Sequence, residues 1–169
     1  PILQKAFGGG FDPVLVKGRG NYVSLRRMQR AISQGSSLVH DPKAMADLQA
    51  IKTWSETTTD GSRSSLPMLP RGDVWELVKS DGSRCLGKKC PTYSDCFYQT
   101  ARQAMERGNL LVCNHALFFS DLALRIRGAG FLPRYDHVIF DEAHAIEDVA
   151  ADHFGASISE NQVEYFLRT

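Results

Sequence analysis

The chain has 169 residues, of which 43% are hydrophobic, and its formal net charge at pH 7 is +1. That length and composition allow one sizeable core, while the near-neutral charge argues neither for nor against a nucleic-acid partner. No run approaches the roughly twenty apolar residues that span a bilayer, and no basic-then-apolar leader opens the chain. We therefore expect a cytoplasmic protein without a membrane partner.

The first part of the chain combines a short strand, a basic turn and two helices. The apolar run that ends at Gly18 predicts a strand, and residues 19–22 follow it as a turn. Ser24 is suited to cap a helix with apolar residues on one face. Asp41-Pro42 then predicts the start of a second helix, because Pro favours the first helical position.

The middle of the chain predicts loops and helices but no strand. Residues 57–65 are Thr, Ser, Gly, Asp and Arg without a large apolar side chain, which is typical of a mobile linker. We expect a short helix over residues 73–79. Helical spacing of apolar residues predicts another helix from Phe97 to a stop at Gly108.

The last third alternates strands and helices. We expect strands over residues 110–113 and 138–140, each followed by a helix. The run Val138-Ile139-Phe140 is typical of a strand buried on both faces of a parallel sheet, and ligands bind at the carboxyl ends of such strands. Asp141 would there hold Mg²⁺ together with nucleotide phosphates, and Glu142 would orient or deprotonate the attacking water.

Three of the four cysteines lie close together in the sequence, as C-x4-C-x5-C at Cys85, Cys90 and Cys96. In a cytosolic protein such a cluster indicates a metal site rather than disulfides, and its spacing differs from the paired cysteines of most zinc ribbons. Cys113 lies at the end of an apolar run, which favours a small core residue.

A basic segment precedes the cysteines. Residues 17–30 contain five basic residues and no acid, whereas residues 141–152 contain five acids and no Lys or Arg. Cations for phosphates and flat side chains for bases are what a single-stranded DNA channel needs. Candidate DNA contacts are therefore Arg19, Tyr22, Arg26, Arg27 and Arg30. The alternative is an ordinary solvated amphipathic helix.

Four motifs together resemble a known family. Asp141-Glu142-Ala143-His144 is the DEAH box of superfamily 2 helicases, and three further segments precede it in the order found in the iron–sulfur DinG/XPD-like branch. They are Lys17-Gly18-Arg19-Gly20-Asn21-Tyr22, the cysteine cluster, and Val112-Cys113-Asn114-His115-Ala116-Leu117-Phe118. The resemblance covers nearly the whole chain.

The resemblance implies an α/β fold, namely a partial RecA-like (P-loop NTPase) parallel sheet with a mainly helical, cysteine-containing insert. Residues 1–18 and 109–150 would belong to the first motor domain and residues 19–108 to the insert. Residues 151–169 would begin a following helical, arch-like segment. The remaining motor domain would lie elsewhere in a longer chain.

The implied activity is ATP hydrolysis that drives translocation on single-stranded DNA and unwinding of forked duplexes. Asp141 and Glu142 would bind Mg²⁺ and ATP, and His144 would couple the nucleotide state to the rest of the motor. The insert would carry a [4Fe–4S] cluster on Cys85, Cys90 and Cys96 and help to part the strands.

This chain departs from the family pattern at Ser24, which occupies the place of the first cluster cysteine. Four Cys ligands are usual for a [4Fe–4S] cluster. Three explanations stay open. The cluster is held by three cysteines with an oxygen ligand or an open iron; Cys113 replaces the fourth ligand; or the cluster is lost, leaving the fold or a zinc ion.

The 169 residues lack the phosphate-binding pattern G-x-x-x-x-G-K-[ST], since Gly8-Gly9-Gly10 has neither its Lys nor its hydroxyl. We therefore expect an internal fragment of a helicase, with negligible ATPase activity on its own. One rival function is a metal-stabilised DNA-binding module without ATP turnover. Another is a nuclease, which would need an acidic constellation outside this segment. For His115 we expect a helix-start or packing role rather than ligation.

Overall fold

A computed structural model describes residue 5, residues 8–34 and residues 41–154 of the chain. The described part is mostly helical, with a small parallel sheet of two strands. The strands are β1, Pro13–Leu15, and β2, Leu110–Val112. The helices are α1, Leu25–Ser33; α2, Pro42–Ser55; α3, Gly72–Val78; α4, Phe97–Arg107; α5, His115–Ile126; and α6, Ile146–Phe154. The chain forms two compact units, Pro1–Leu111 and Val112–Thr169.

Side-chain caps begin three of the helices. The Ser24 hydroxyl accepts a hydrogen bond from the Arg27 backbone N–H at 3.4 Å, so the predicted cap of α1 is confirmed. Asp41 accepts from the Lys43 N–H at 3.0 Å, and Pro42 is the first residue of α2, as predicted. Asn114 caps α5 by accepting from the Leu117 N–H at 2.9 Å. Each cap satisfies a backbone donor that the helix itself leaves unpaired.

The core of the first unit lies between α1, α2 and α3. Leu48, Ile51 and Val78 are 0%, 1% and 0% exposed. Two tryptophans of this core also have polar partners, because the Trp75 indole donates to the Gly20 carbonyl at 2.9 Å and the Trp54 indole to the Ser65 carbonyl at 3.2 Å. These bonds join the core to the turns on either side of it.

The prediction of a mobile linker over residues 57–65 is wrong. Asp60 accepts hydrogen bonds from the Ser62 N–H at 3.1 Å and the Ser65 hydroxyl at 2.6 Å. The Lys17 ammonium donates to the hydroxyls of Ser62 and Ser64, at 2.7 Å each, and Ser62 is fully buried. Short polar side chains pair with the turn backbone, so the segment is packed without large apolar residues.

The expected sheet is present only in part. The strands predicted near residues 13–15 and 110–112 are confirmed, and the Leu110 N–H donates to the Asp12 carbonyl beside them at 3.3 Å. The third expected strand is wrong, because residues 138–140 form no strand. Val138, Ile139 and Phe140 are 43%, 94% and 37% exposed rather than buried. A strand needs hydrogen-bonding neighbours, and within the described ranges only β1 and β2 form a sheet.

None of the helices in the described part of the chain combines the length and apolar character that crossing a bilayer requires.

Candidate nucleotide and metal sites

The DEAH box follows a segment that packs on α5 within the second unit. The Phe140 ring lies 5.2 Å from the Phe118 ring and 6.1 Å from the Phe119 ring, measured between centroids. It also lies 5.8 Å from the His115 ring. His115 therefore has a packing role at the start of the helix. These contacts fix the residue that directly precedes Asp141.

The two adjacent carboxylates are exposed and lie at a sharp turn. The Glu142 N–H donates to the Asp141 carboxylate at 2.9 Å, and the Glu142 backbone is left-handed, with φ of 48°. That conformation costs a residue other than Gly about 1–2 kcal/mol, and such outliers are concentrated at functional sites. His144 Nδ1 lies 3.4 Å from the Glu142 carboxylate. The DEAH box thus presents two carboxylates and an imidazole together to solvent.

Within the described ranges, no three Cys, His, Asp or Glu side chains come close enough to hold a metal ion. Magnesium nevertheless suits a pair of carboxylates, because it keeps several waters and usually takes one or two protein carboxylates with substrate phosphates. The arrangement of Asp141 and Glu142 is therefore chemically suited to a magnesium–nucleotide complex.

A separate cavity of about 30 Å³ lies within the first unit. Its lining brings together two segments far apart in the sequence, namely residues 19–27 and residues 84–99. The predicted site residues in the lining are Arg19, Ser24, Arg26, Arg27, Cys85, Cys90 and Cys96. Backbone hydrogen bonds hold the first segment, because the Ser24 N–H donates to the Val78 carbonyl at 2.8 Å and the Val23 N–H to the Gly61 carbonyl at 2.9 Å.

The environment of the cavity favours the thiolate form of two cysteines. A hydrogen bond from Arg19 is the main reason that the pKa of the Cys85 thiol is lowered. The pKa of Cys90 is lowered mainly by its contact with the Thr92 hydroxyl, 3.4 Å from the sulfur. Thiolate is the form that binds metal. By contrast, burial raises the pKa of Cys113, which lies in the second unit.

Three thiols line this cavity, although as arranged here they do not come close enough together, among the described residues, to hold a metal ion. Its fourth candidate donor, Ser24, already accepts a hydrogen bond as the cap of α1. A serine oxygen is a harder ligand than a cysteine sulfur, and soft metals and iron–sulfur clusters prefer sulfur. Cys85, Cys90 and Cys96 are thus the residues that would hold such a group.

The predicted DNA contacts differ in how free they are. Arg27 donates to the carbonyls of Lys79 at 2.5 Å and Glu76 at 2.7 Å and so caps the end of α3. Arg26 donates to the Arg84 carbonyl at 2.5 Å. Arg30 is exposed. Among the cations here, Arg30 is the one whose position best suits a phosphate contact.

The aromatic part of the predicted DNA surface is arranged differently from the expectation. Tyr22 is only 5% exposed, and its ring centroid lies 5.8 Å from that of Tyr98. The Arg19 guanidinium in turn lies 4.0 Å from the Tyr98 ring centroid. Burial in this stack argues against a role for Tyr22 in stacking on bases, and we leave it out of the proposed DNA surface.

The sequence reasoning missed an ion pair on α5. Asp121 is fully buried, and its carboxylate lies 2.5 Å from the Arg125 guanidinium. The available signal was an acid in an otherwise apolar helix, with an arginine four residues later and Gly128 and Gly130 beyond it. An acid on the buried face of a helix has to find partners, so this pattern was detectable.

Comparison with known proteins identifies the family. A family model described as DEAD_2 matches residues 73–163, which is more than half of the chain. The chain belongs to the DEAD_2 family. Its DEAD_2 match includes the cysteine cluster and the DEAH box, so the resemblance inferred from the sequence motifs is confirmed.

Curated relatives of this DEAD_2 chain are named as helicases. It is 35% identical over 165 residues to the ATP-dependent DNA helicase YoaA of Escherichia coli strain K12, an alignment that covers 96% of this chain and 26% of that protein. It is 30% identical over 146 residues to the ATP-dependent helicase DinG of Mycobacterium tuberculosis strain H37Rv, covering 79% and 22% respectively. The chain thus spans about a quarter of the length of these relatives.

Proposed function

We propose that this chain is part of an ATP-dependent DNA helicase that couples Mg-ATP hydrolysis to translocation on single-stranded DNA and to unwinding of forked duplexes. The observation that carries the proposal is the exposed Asp141-Glu142 pair at the turn after Phe140, inside the DEAD_2 match. Helicase relatives that align over most of this chain support it. Because its substrate in this proposal is DNA, we place the protein in the cytoplasm.

In this proposal each residue of the DEAH box has its own role. Asp141 would hold Mg²⁺, which would neutralise charge on the nucleotide phosphates. Glu142 orients the attacking water and accepts its proton. His144, which lies 3.4 Å from Glu142, couples that carboxylate to the remaining motor domain.

The domain division stays a proposal. We assign residues 1–18 and 109–150 to one motor domain, residues 19–108 to an insert and residues 151–169 to a following helical segment. The β1–β2 pairing supports this division, since it joins the chain on either side of residues 19–108 in one sheet.

Replacing Glu142 with Gln in the full-length protein tests the motor. We expect DNA-stimulated ATP hydrolysis to fall by about a hundredfold or more, because the water loses its positioned base. Release of phosphate is measured with and without single-stranded DNA, and unwinding is measured on a forked duplex. The control is Glu147→Gln, which removes an exposed acid from the first turn of α6 and should leave turnover unchanged.

The same assay separates the motor from the rival binding module. DNA binding without any ATP turnover in the wild-type protein would refute the motor and support a metal-stabilised DNA-binding module. Turnover that survives Glu142→Gln would refute the role given to the carboxylate.

We further propose that Cys85, Cys90 and Cys96 hold a [4Fe–4S] cluster with Ser24 outside the thiolate ligands. When bound, such a cluster would cross-link the loop of residues 85–96 and stabilise the insert against unfolding. The shared cavity and the two lowered thiol pKa values support this assignment. Arg30 and its basic neighbours would then contact DNA phosphates.

Metal analysis of anaerobically purified protein tests the cluster. We expect iron, acid-labile sulfide and visible absorption in the wild type, and their loss in Cys90→Ser. Cys113→Ser is the matched control and should keep the iron, because Cys113 does not line the cavity. Zinc without sulfide would refute the cluster in favour of a zinc site, and iron loss in Cys113→Ser would make Cys113 the fourth ligand.

A further inference from the structure

A buried carboxylate outside the DEAH box anchors the loop that follows α5. Asp121 is 0% exposed, and one of its oxygens accepts hydrogen bonds from the N–H groups of Phe131 at 2.6 Å and Leu132 at 2.9 Å. The other accepts from the Arg125 guanidinium at 2.5 Å. Burial alone would raise the pKa of Asp121, but these donors together hold it below the ordinary value, so the group is ionised.

Arg125 binds the backbone carbonyl groups of the same loop. Its guanidinium donates to the carbonyls of Leu132 at 2.6 Å and Pro133 at 2.9 Å and lies 5.1 Å from the Tyr135 ring centroid. Gly130 makes this approach possible, because a Cβ there would lie 2.9 Å from Arg125 Cγ. Two side chains one helical turn apart therefore fix both donors and acceptors of residues 131–133.

The anchored loop leads directly to the DEAH box. The chain reverses after α5 at Gly128, whose φ is +80°. It then returns along the same helix, since Tyr135 contacts Phe118 at 6.0 Å between ring centroids and Phe140 contacts His115 at 5.8 Å. Beyond Pro133 these contacts are between rings, which constrain direction less than hydrogen bonds do.

We propose that Asp121 is a positioning residue for Asp141 and Glu142. Asp121 and Arg125 fix the start of the returning segment near the carboxyl end of α5. The ring contacts of Tyr135 and Phe140 then hold the segment along α5, so that the two carboxylates lie near the amino end of that helix. Asp121 itself contacts neither nucleotide nor metal. The inference deepens the ATPase role in the proposed function and rests on it.

Asp121→Asn in the full-length protein tests the inference, since it keeps the size and one oxygen acceptor but removes the charge that pairs with Arg125. We expect kcat for DNA-stimulated ATP hydrolysis to fall about tenfold and the Mg²⁺ concentration for half-maximal rate to rise severalfold, because a change far from the chemistry can misplace the reacting groups. The KM for ATP at saturating Mg²⁺ should change less than about twofold. A merely structural role would not change kcat and the dependence on Mg²⁺ while leaving the KM for ATP nearly unchanged.

Glu106→Gln is the matched control. It removes an ion pair of the same spacing, because Arg102 lies 3.2 Å from Glu106 on α4, but on an exposed face. We expect wild-type kcat and wild-type dependence on Mg²⁺. An equal effect from both variants would refute a specific role for Asp121.

Hydrogen–deuterium exchange separates failure of this inference from failure of the motor assignment. Peptides covering residues 128–142 should exchange faster in Asp121→Asn and at the wild-type rate in Glu106→Gln. Unchanged exchange and kinetics in Asp121→Asn would overturn the positioning role. If these peptides exchange faster in Asp121→Asn while the wild type shows no Glu142-dependent turnover, the anchoring of the loop by Asp121 is supported and the motor assignment fails. Loss of protection throughout the chain would instead indicate general destabilisation and overturn the positioning role.

Discussion

Two short segments lie at the two candidate sites, and their surroundings differ. Residues 22–24 are bonded on both sides, with the Val23 N–H donating to the Gly61 carbonyl and the Ser24 N–H to the Val78 carbonyl. Val23 is accordingly 1% exposed. Residues 138–140 have no strand partner within the described ranges, and Ile139 is 94% exposed.

The difference shows that apolar composition and burial are separate properties. Burial of apolar side chains lowers the free energy of the protein. The backbone of the same segment, however, is buried only where neighbours satisfy its N–H and C=O groups. The hydrogen-bond partners of residues 22–24 lie in the same unit, so this segment is paired within the 169 residues. Residues 138–140 have no such partners within the described ranges, and their apolar side chains stay exposed.

One substitution in a buried site and one in the exposed segment give the largest expected difference. Leu48 is fully buried in the first unit, so Leu48→Ala should lower the free energy of unfolding of the 169-residue chain by about 3 kcal/mol. Ile139→Ala should change it by about 0.5 kcal/mol or less, because the side chain is exposed. Denaturant unfolding measures both values.

A large effect of Ile139→Ala in the 169-residue chain would mean that the segment is buried there, and it would contradict the comparison. Met68→Ala is a control for the loss of an exposed apolar side chain, since Met68 is 43% exposed and lies outside both segments.

Local signals were enough to predict most elements of the fold. Caps at Ser24 and Asp41 act within one helical turn, so the sequence alone locates the starts of α1 and α2. Gly108 likewise follows the end of α4 as expected. Such features depend on residues three or four positions apart, which a sequence displays directly.

Contacts between distant residues were not predictable in this way. Lys17 pairs with the hydroxyls of Ser62 and Ser64, so a segment with the composition of a linker is folded against it. The clustering of Cys85 with Arg19 around one cavity was foreseen only through the family resemblance. Burial of Tyr22 was missed because an aromatic residue beside arginines has the same local pattern in a binding surface and in a core.

Gly61 offers a smaller and more local test, since its carbonyl accepts the hydrogen bond that pairs residues 22–24. Its φ is +58°, and an added Cβ would lie 2.7 Å from Phe97 Cβ and closer still to the ring. Gly61→Ala should therefore lower the free energy of unfolding by about 2 kcal/mol, through left-handed strain and displacement of Phe97. Denaturant unfolding of the 169-residue chain measures the change.

Gly72→Ala is the matched control, because Gly72 is the first residue of α3 and a Cβ there meets nothing within 4 Å. We expect its effect to stay within about 0.5 kcal/mol. Phe97 directly follows Cys96, so Gly61→Ala should also weaken metal retention by the cysteine loop, whereas Gly72→Ala should not. Equal stability of the two variants would contradict the close packing of Gly61 against Phe97.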